Sequence, residues 1–187
     1  DDAYERLYFG EAGAAPSFLD LAGPDDRVVS ANTFSKSWLM TGWRLGWICA
    51  PAGLVNDLGT LVEYNTSCAP GFVQRAGLVA LTQGDAVIAR TRASLRAARD
   101  FLIPALAALD GVRVAPPQGA MYAFFGVQGV TDSLEFCKRL VVDAGLGLAP
   151  GSAFGPEGEG YIRWCFATGI PRLEAGLARL AAGLARV

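Results

Sequence analysis

The chain reads as an α/β protein. Short runs rich in β-branched and aromatic residues alternate with longer segments whose apolar residues recur at helical spacing, and Gly/Pro/Asp clusters separate them. A hydrophobic fraction of 52 % against 18 % charged residues supplies enough apolar side chain for a substantial core. Composition changes after about residue 84, which predicts two parts: residues 1–84, strand-and-helix segments, and residues 85–187, a long helix followed by a compact αβ layer.

Taken in order, Gly23-Pro24-Asp25-Asp26 is a turn, and residues 27–32 after it read as a short buried strand. The end of that strand delivers a loop over Thr33–Lys36. Residues 44–50 read as a second strand, stopped by Pro51. A helix is predicted over 52–64, with Leu54, Leu58, Leu61 and Val62 on one stripe. Residues 67–71 break the pattern and 72–82 read as the next helix, ended near Gly84.

Asp85 is placed to cap a long helix in which Ile88, Leu95, Leu102 and Leu109 recur every seven residues on one face. Arg90, Arg92, Arg96 and Arg99 fall mostly off it and suit a solvated surface. Pro104 is expected to kink or locally break this helix. Strands are then predicted over 112–114 and 120–125, around Pro116-Pro117-Gln118-Gly119. A helix over 133–144 and a short strand over 145–150 lead to the glycine-rich loop 151–160. Residues 161–167 form a strand, and Pro171 opens a terminal helix with Leu173, Leu177, Leu180 and Leu184 on one stripe.

Charge and residue usage exclude whole classes of chemistry. Sixteen basic against eighteen acidic residues leave a net charge of −2, so nothing electrostatic points to nucleic acid or an anionic membrane as a partner. Apolar runs are too short for a membrane span, and no secretory leader is visible. Histidine is absent, which removes histidine triads and histidine general bases. Cys49, Cys68, Cys137 and Cys165 are widely spaced and read as reduced, mostly buried thiols of a cytosolic protein. The chain opens on Asp1 rather than methionine and is expected to be part of a longer protein.

The densest chemical signal is Thr33-Phe34-Ser35-Lys36-Ser37-Trp38-Leu39-Met40-Thr41-Gly42-Trp43-Arg44-Leu45-Gly46. A lysine amine can form a Schiff base with a carbonyl. Hydroxyls and a guanidinium nearby can hold a phosphate dianion through charge-assisted hydrogen bonds. The plainer alternative is a solvated surface lysine, but two tryptophans and a methionine close behind are unusual for a surface loop. In the strand 161–167, alternation puts Tyr161, Arg163 and Cys165 on one face and Ile162, Trp164 and Phe166 on the other. If the apolar face packs inward, Arg163 faces a cleft where its planar fork suits a carboxylate. Its alternative is a pairing with Glu157 or Glu159.

The Thr33–Gly46 pattern resembles the pyridoxal-phosphate attachment site of the class I/II aminotransferases, a fold type I family, and the resemblance covers nearly the whole chain. It implies that residues 1–84 are the C-terminal portion of the large cofactor-binding domain and that residues 85–187 are the interdomain helix and small domain. Asp1-Asp2-Ala3-Tyr4 is similar to the family's acidic pair, apolar residue and tyrosine. By that match Asp1 lies beside the pyridine nitrogen and Tyr4 hydrogen-bonds the phenolic oxygen. Lys36 would carry the cofactor as a Schiff base, with Thr33, Ser35 and Arg44 at its phosphate. Pro117–Tyr122 and Ala149–Gly155 resemble structural segments beside the substrate, and Arg163 matches the arginine that binds the substrate α-carboxylate.

The activity implied is transfer of an amino group between an amino acid and a 2-oxo acid, in a cytoplasmic homodimer. The family's N-terminal half, which supplies a ring-stacking aromatic and most of the large sheet, has no counterpart here, so the chain alone is expected to be inactive. Two alternatives stay open: a lyase or decarboxylase of the same fold, and the aminotransferase-like, ligand-binding module of a transcription regulator. The second would require a DNA-binding helix-turn-helix upstream.

Overall fold

The computed structural model describes residues 1–185, which divide into two compact units, Asp1–Arg92 and Ala93 onward. The boundary falls inside one continuous helix.

In the first unit, strand β1 (Ser30–Thr33) and strand β2 (Gly46–Cys49) pair antiparallel, Thr33 opposite Gly46 and Ser30 opposite Cys49. Both are shorter than the sequence suggests. β2 starts at Gly46, where an added Cβ would lie 2.4 Å from the Asn32 carbonyl oxygen, so only glycine lets the strands approach this closely. The expected Thr33–Lys36 loop is instead a single helical turn, α1 (Phe34–Ser37). Three helices follow: α2 (Val55–Thr66), α3 (Gly71–Gln83) and α4 (Asp85–Ala107).

The core of this unit is Phe34, Trp38, Met40 and Ile88, with Leu45, Trp47, Ala76 and Ala80 packed on it. The Phe34, Trp38 and Trp47 rings form a triangle with centroids 5.0, 5.1 and 6.2 Å apart. Each such pair adds about 0.5–1.5 kcal/mol beyond its area burial. The N-terminal segment is fastened to β1. The Asp2 amide donates to the Ala31 carbonyl at 2.9 Å, and the Asp2 carboxylate accepts from the Ser17 and Ser30 hydroxyls.

Two expectations about the helices change. Asp85 is the first residue of α4, and its carboxylate accepts from Arg6 at 3.0 Å; the Gly84 carbonyl meets the Val87 and Ile88 amides. Pro104 does not end α4, which continues to Ala107. The residue sits in the last turn, where few i−4 bonds remain to lose. The α2 stripe is present but unburied: Leu54, Leu61 and Val62 stay exposed. Leu58 and Val62 line an apolar groove of about 420 Å³ with Trp47 and Ile48.

In the second unit, β3 (Val112–Val114), β4 (Tyr122–Val127), β5 (Ala149–Pro150) and β6 (Tyr161–Cys165) form an antiparallel sheet in the order β3-β4-β6-β5. Helices α5 (Ser133–Ala144) and α6 (Ile170–Leu184) complete it. Ala123, Phe125, Ile162 and Trp164 are buried on one sheet face, as alternation predicts. Leu173 and Leu180 of the α6 stripe are buried too, and Gly176 lets that helix approach the Trp164 ring, which an added Cβ would meet at 2.6 Å.

The glycine-rich loop folds as two short 3-10 turns, Gly151–Phe154 and Pro156–Gly158. The four thiols are free, but only Cys137 is buried, contrary to the expectation of mostly buried thiols; Cys68 and Cys165 are exposed. Burial pushes the Cys137 thiol up to about 11. Among the described residues no helix is long and apolar enough to cross a membrane.

The Glu159 carboxylate closes the loop onto α5, accepting from the Ser133 amide at 2.6 Å and the Gly160 amide at 2.9 Å. These backbone bonds hold its pKa below the ordinary 4.5. As pH falls, the unfolded chain's carboxyl binds a proton first, so the stabilisation is complete above the unfolded value and is lost as pH drops through the lower folded value. Glu159→Gln should therefore be less stable than wild type at neutral pH, with the difference vanishing in acid. Urea midpoints across that pH range check this; a pH-independent difference would contradict it.

Candidate active site

The predicted site residues fall into two clusters, one in each unit. In the first, Thr33 ends β1 and caps α1. Its Oγ1 accepts the Ser35 amide at 3.1 Å, lies 3.0 Å from the Ser35 hydroxyl, and lies 3.3 Å from the Leu45 carbonyl. The Phe34 amide donates to the same Leu45 carbonyl at 3.1 Å. The approach to β2 is thus hydrogen-bonded directly to the lysine turn.

Phe34 and Ser37 point into the core, and the turn geometry leaves Lys36 half-buried. The Lys36 amine stands 5.8 Å from the centre of the Tyr4 ring and makes no ion pair among the described residues. Tyr4, Thr33, Ser35 and Lys36 therefore belong to one neighbourhood. Asp1 is exposed, and its carboxylate accepts its own segment's Ala3 amide at 3.0 Å rather than a group of that cluster.

Arg44 differs from its sequence reading. It is not a strand residue but holds a left-handed backbone at φ 52°, just ahead of β2. Its exposed guanidinium donates to the Thr41 carbonyl at 2.9 Å, and no hydrogen bond joins it to Thr33 or Ser35. Leu39, on the other side of the loop, is left-handed as well at φ 58°. Such backbone costs an L-residue on the order of 1 kcal/mol or more and recurs where a functional site fixes the chain. Sequence reasoning passed over Asn32, whose side chain spans Glu5 and the Thr33 amide, both at 2.9 Å.

In the second cluster, Arg163 sits mid-way along β6, opposite Phe124 on β4 and Ala149 on β5. Neither proposed acidic partner is engaged: Glu159 is committed to backbone amides, and no ion pair to Arg163 occurs among the described residues. Its guanidinium carbon lies instead 4.3 Å from the Tyr122 ring centre and 4.1 Å from that of Phe154. Phe124 stacks on Tyr161 beside it, centroids 5.0 Å apart. On the sequence reading, Tyr122 has a structural part and Phe154 a place in a turn. Neither was read as a partner of Arg163, because a contact from loop to strand leaves no periodic trace.

The sequence profile described as aminotransferase class I and II matches residues 1–180. The chain belongs to the class I and II aminotransferases. Members of that family depend on pyridoxal phosphate. The chain is 40 % identical over 181 residues to the probable N-acetyl-LL-diaminopimelate aminotransferase of Bacillus subtilis, a match covering 95 % of this chain and 44 % of that protein. Among solved structures it resembles the aspartate aminotransferase of Thermotoga maritima, with TM-score 0.87, 34 % identity, and coverage of 99 % of this chain and 47 % of that one. It also resembles the aromatic aminotransferase of Pyrococcus horikoshii, with TM-score 0.91, 31 % identity, and coverage of 100 % and 50 %. The chain thus spans about half the length of the relatives it matches.

The residues of the first cluster suit a phosphorylated aldehyde. An amine with no ionic partner among the described residues stands beside a phenol ring, and two hydroxyls converge at the foot of the same turn.

Thr33→Ala should cost about 1 kcal/mol by removing the cap, while Thr33→Ser should retain most of it. Denaturant midpoints of the two variants check this; equal midpoints would contradict a capping hydroxyl.

Proposed function

We propose that this chain carries the lysine-bearing part of a pyridoxal-phosphate-dependent aminotransferase, which moves an amino group between an amino acid and a 2-oxo acid. The observation that carries this is the capped turn at Thr33–Lys36, which sets the Lys36 amine, unpaired among the described residues, beside Tyr4 and next to two converging hydroxyls. When bound, the cofactor supplies an electron sink that makes the substrate Cα–H acidic.

The chain's own residues do the rest. Lys36 Nζ is the attachment point and afterwards takes and returns the Cα proton. Asp1 keeps the ring nitrogen protonated and Tyr4 donates to the phenolic oxygen. Thr33, Ser35 and Arg44 would bond the cofactor's phosphate. Arg163, half-buried and with no carboxylate partner among the described residues, binds the substrate α-carboxylate. The domain division that goes with this assignment is residues 1–84 with the cofactor and 85–187 as the interdomain helix and small domain. A cytoplasmic homodimer fits four free thiols and the unburied apolar residues of α2 and α3.

In the parent protein, Arg163→Ala should weaken amino-acid and oxo-acid binding by about 2–5 kcal/mol while leaving cofactor affinity nearly unchanged. Equal substrate affinities in the two proteins would remove Arg163 from the site. Residues 1–187 alone should not transaminate, since the apolar groove beside β2 is open and the matched relatives are about twice as long. Half-transamination with a panel of amino acids checks this: turnover is expected from the parent protein only, and robust turnover by the isolated chain would contradict it.

A further inference from the structure

Phe154 is 49 % exposed, so burial does not explain its position. It projects from the 3-10 turn Gly151–Phe154, and its ring centre lies 4.1 Å from the Arg163 guanidinium carbon. Tyr122 approaches the same carbon at 4.3 Å from β4, two pairs along from the Phe124–Arg163 register and on the same sheet face. Arginine has several rotatable bonds, and freezing them opposes binding. Ring contacts use the flat face of the guanidinium and consume none of its five N–H donors. Arg163 makes no side-chain hydrogen bond or ion pair among the described residues, so those donors stay available in a fixed plane.

We propose that Phe154 and Tyr122 are positioning residues that hold the Arg163 guanidinium by its π face and present its edge to a carboxylate. The inference rests on the assignment of Arg163 as the carboxylate site. A leucine at position 154 keeps apolar bulk but has no π face, whereas a tyrosine keeps the face.

The test uses the cofactor-loaded parent protein and its variants Phe154→Leu, Phe154→Tyr, Tyr122→Leu, Tyr122→Phe and Arg163→Leu. The readouts are inhibition by 3-phenylpropanoate, a carboxylate without an amine, together with KM, kcat and cofactor absorbance. Phe154→Leu and Tyr122→Leu should each raise KM and the inhibition constant about tenfold, the scale of a partly desolvated cation–π contact. kcat should stay within about twofold and the absorbance should not change, while Phe154→Tyr and Tyr122→Phe should restore wild-type values. Two outcomes overturn the proposal alone: unchanged constants in both leucine variants while Arg163→Leu raises them, or a loss of cofactor absorbance in the leucine variants that tracks the KM change. Unchanged constants in Arg163→Leu would overturn the underlying carboxylate assignment, and the proposal with it.

Discussion

The first unit depends on one carbonyl group. Leu45 offers its oxygen to the Phe34 amide and the Thr33 hydroxyl, and so ties the start of β2 to the turn that follows β1. Everything around it is arranged to keep that join in place. Gly46 removes the side chain that would strike the Asn32 carbonyl. Arg44 adopts left-handed backbone to bring Leu45 round. The Phe34, Trp38 and Trp47 triangle anchors both sides of the join in the core. With Phe34 and Ser37 buried, the geometry of one helical turn leaves Lys36 half-exposed on the side of Tyr4. The Lys36 amine is thus placed by backbone hydrogen bonds and aromatic packing, with no salt bridge among the described residues.

Pleat geometry does the corresponding work in the second unit. Burying Ile162 and Trp164 obliges Arg163 to face away from the core. Pairing with β4 then sets aromatic residues beside it, because Tyr122 and Phe124 share the same face. The loop brings Phe154 to the guanidinium, and the Glu159 carboxylate fastens that loop to the start of α5. The cation is held by rings, and the nearby acid is occupied with backbone amides.

Periodic features were legible in the sequence. The α4 heptad, the α6 stripe and the β6 alternation all follow from spacing, and burial of Leu95, Leu102, Leu173, Leu180, Ile162 and Trp164 matches them. Features made by single contacts were not. Nothing in the spacing distinguishes a loop at Thr33–Lys36 from a capped turn, or a strand arginine at 44 from a left-handed one; those depend on which carbonyl is within reach. Asp85 has the composition of a helix cap, yet Arg6, seventy-nine residues away in the chain, claims its carboxylate. The α2 stripe was read correctly as a pattern, but its burial needs a surface that this half-length chain does not supply.

On the proposed assignment, the capped turn makes Lys36, and no other amine, the attachment point for the cofactor. Borohydride reduction of the cofactor-loaded parent protein, followed by peptide mapping, tests it directly. The label should be found on Lys36. Label on Lys138, which is exposed on α5 and paired with Glu135 at 3.6 Å, or on a lysine outside this chain, would contradict the account.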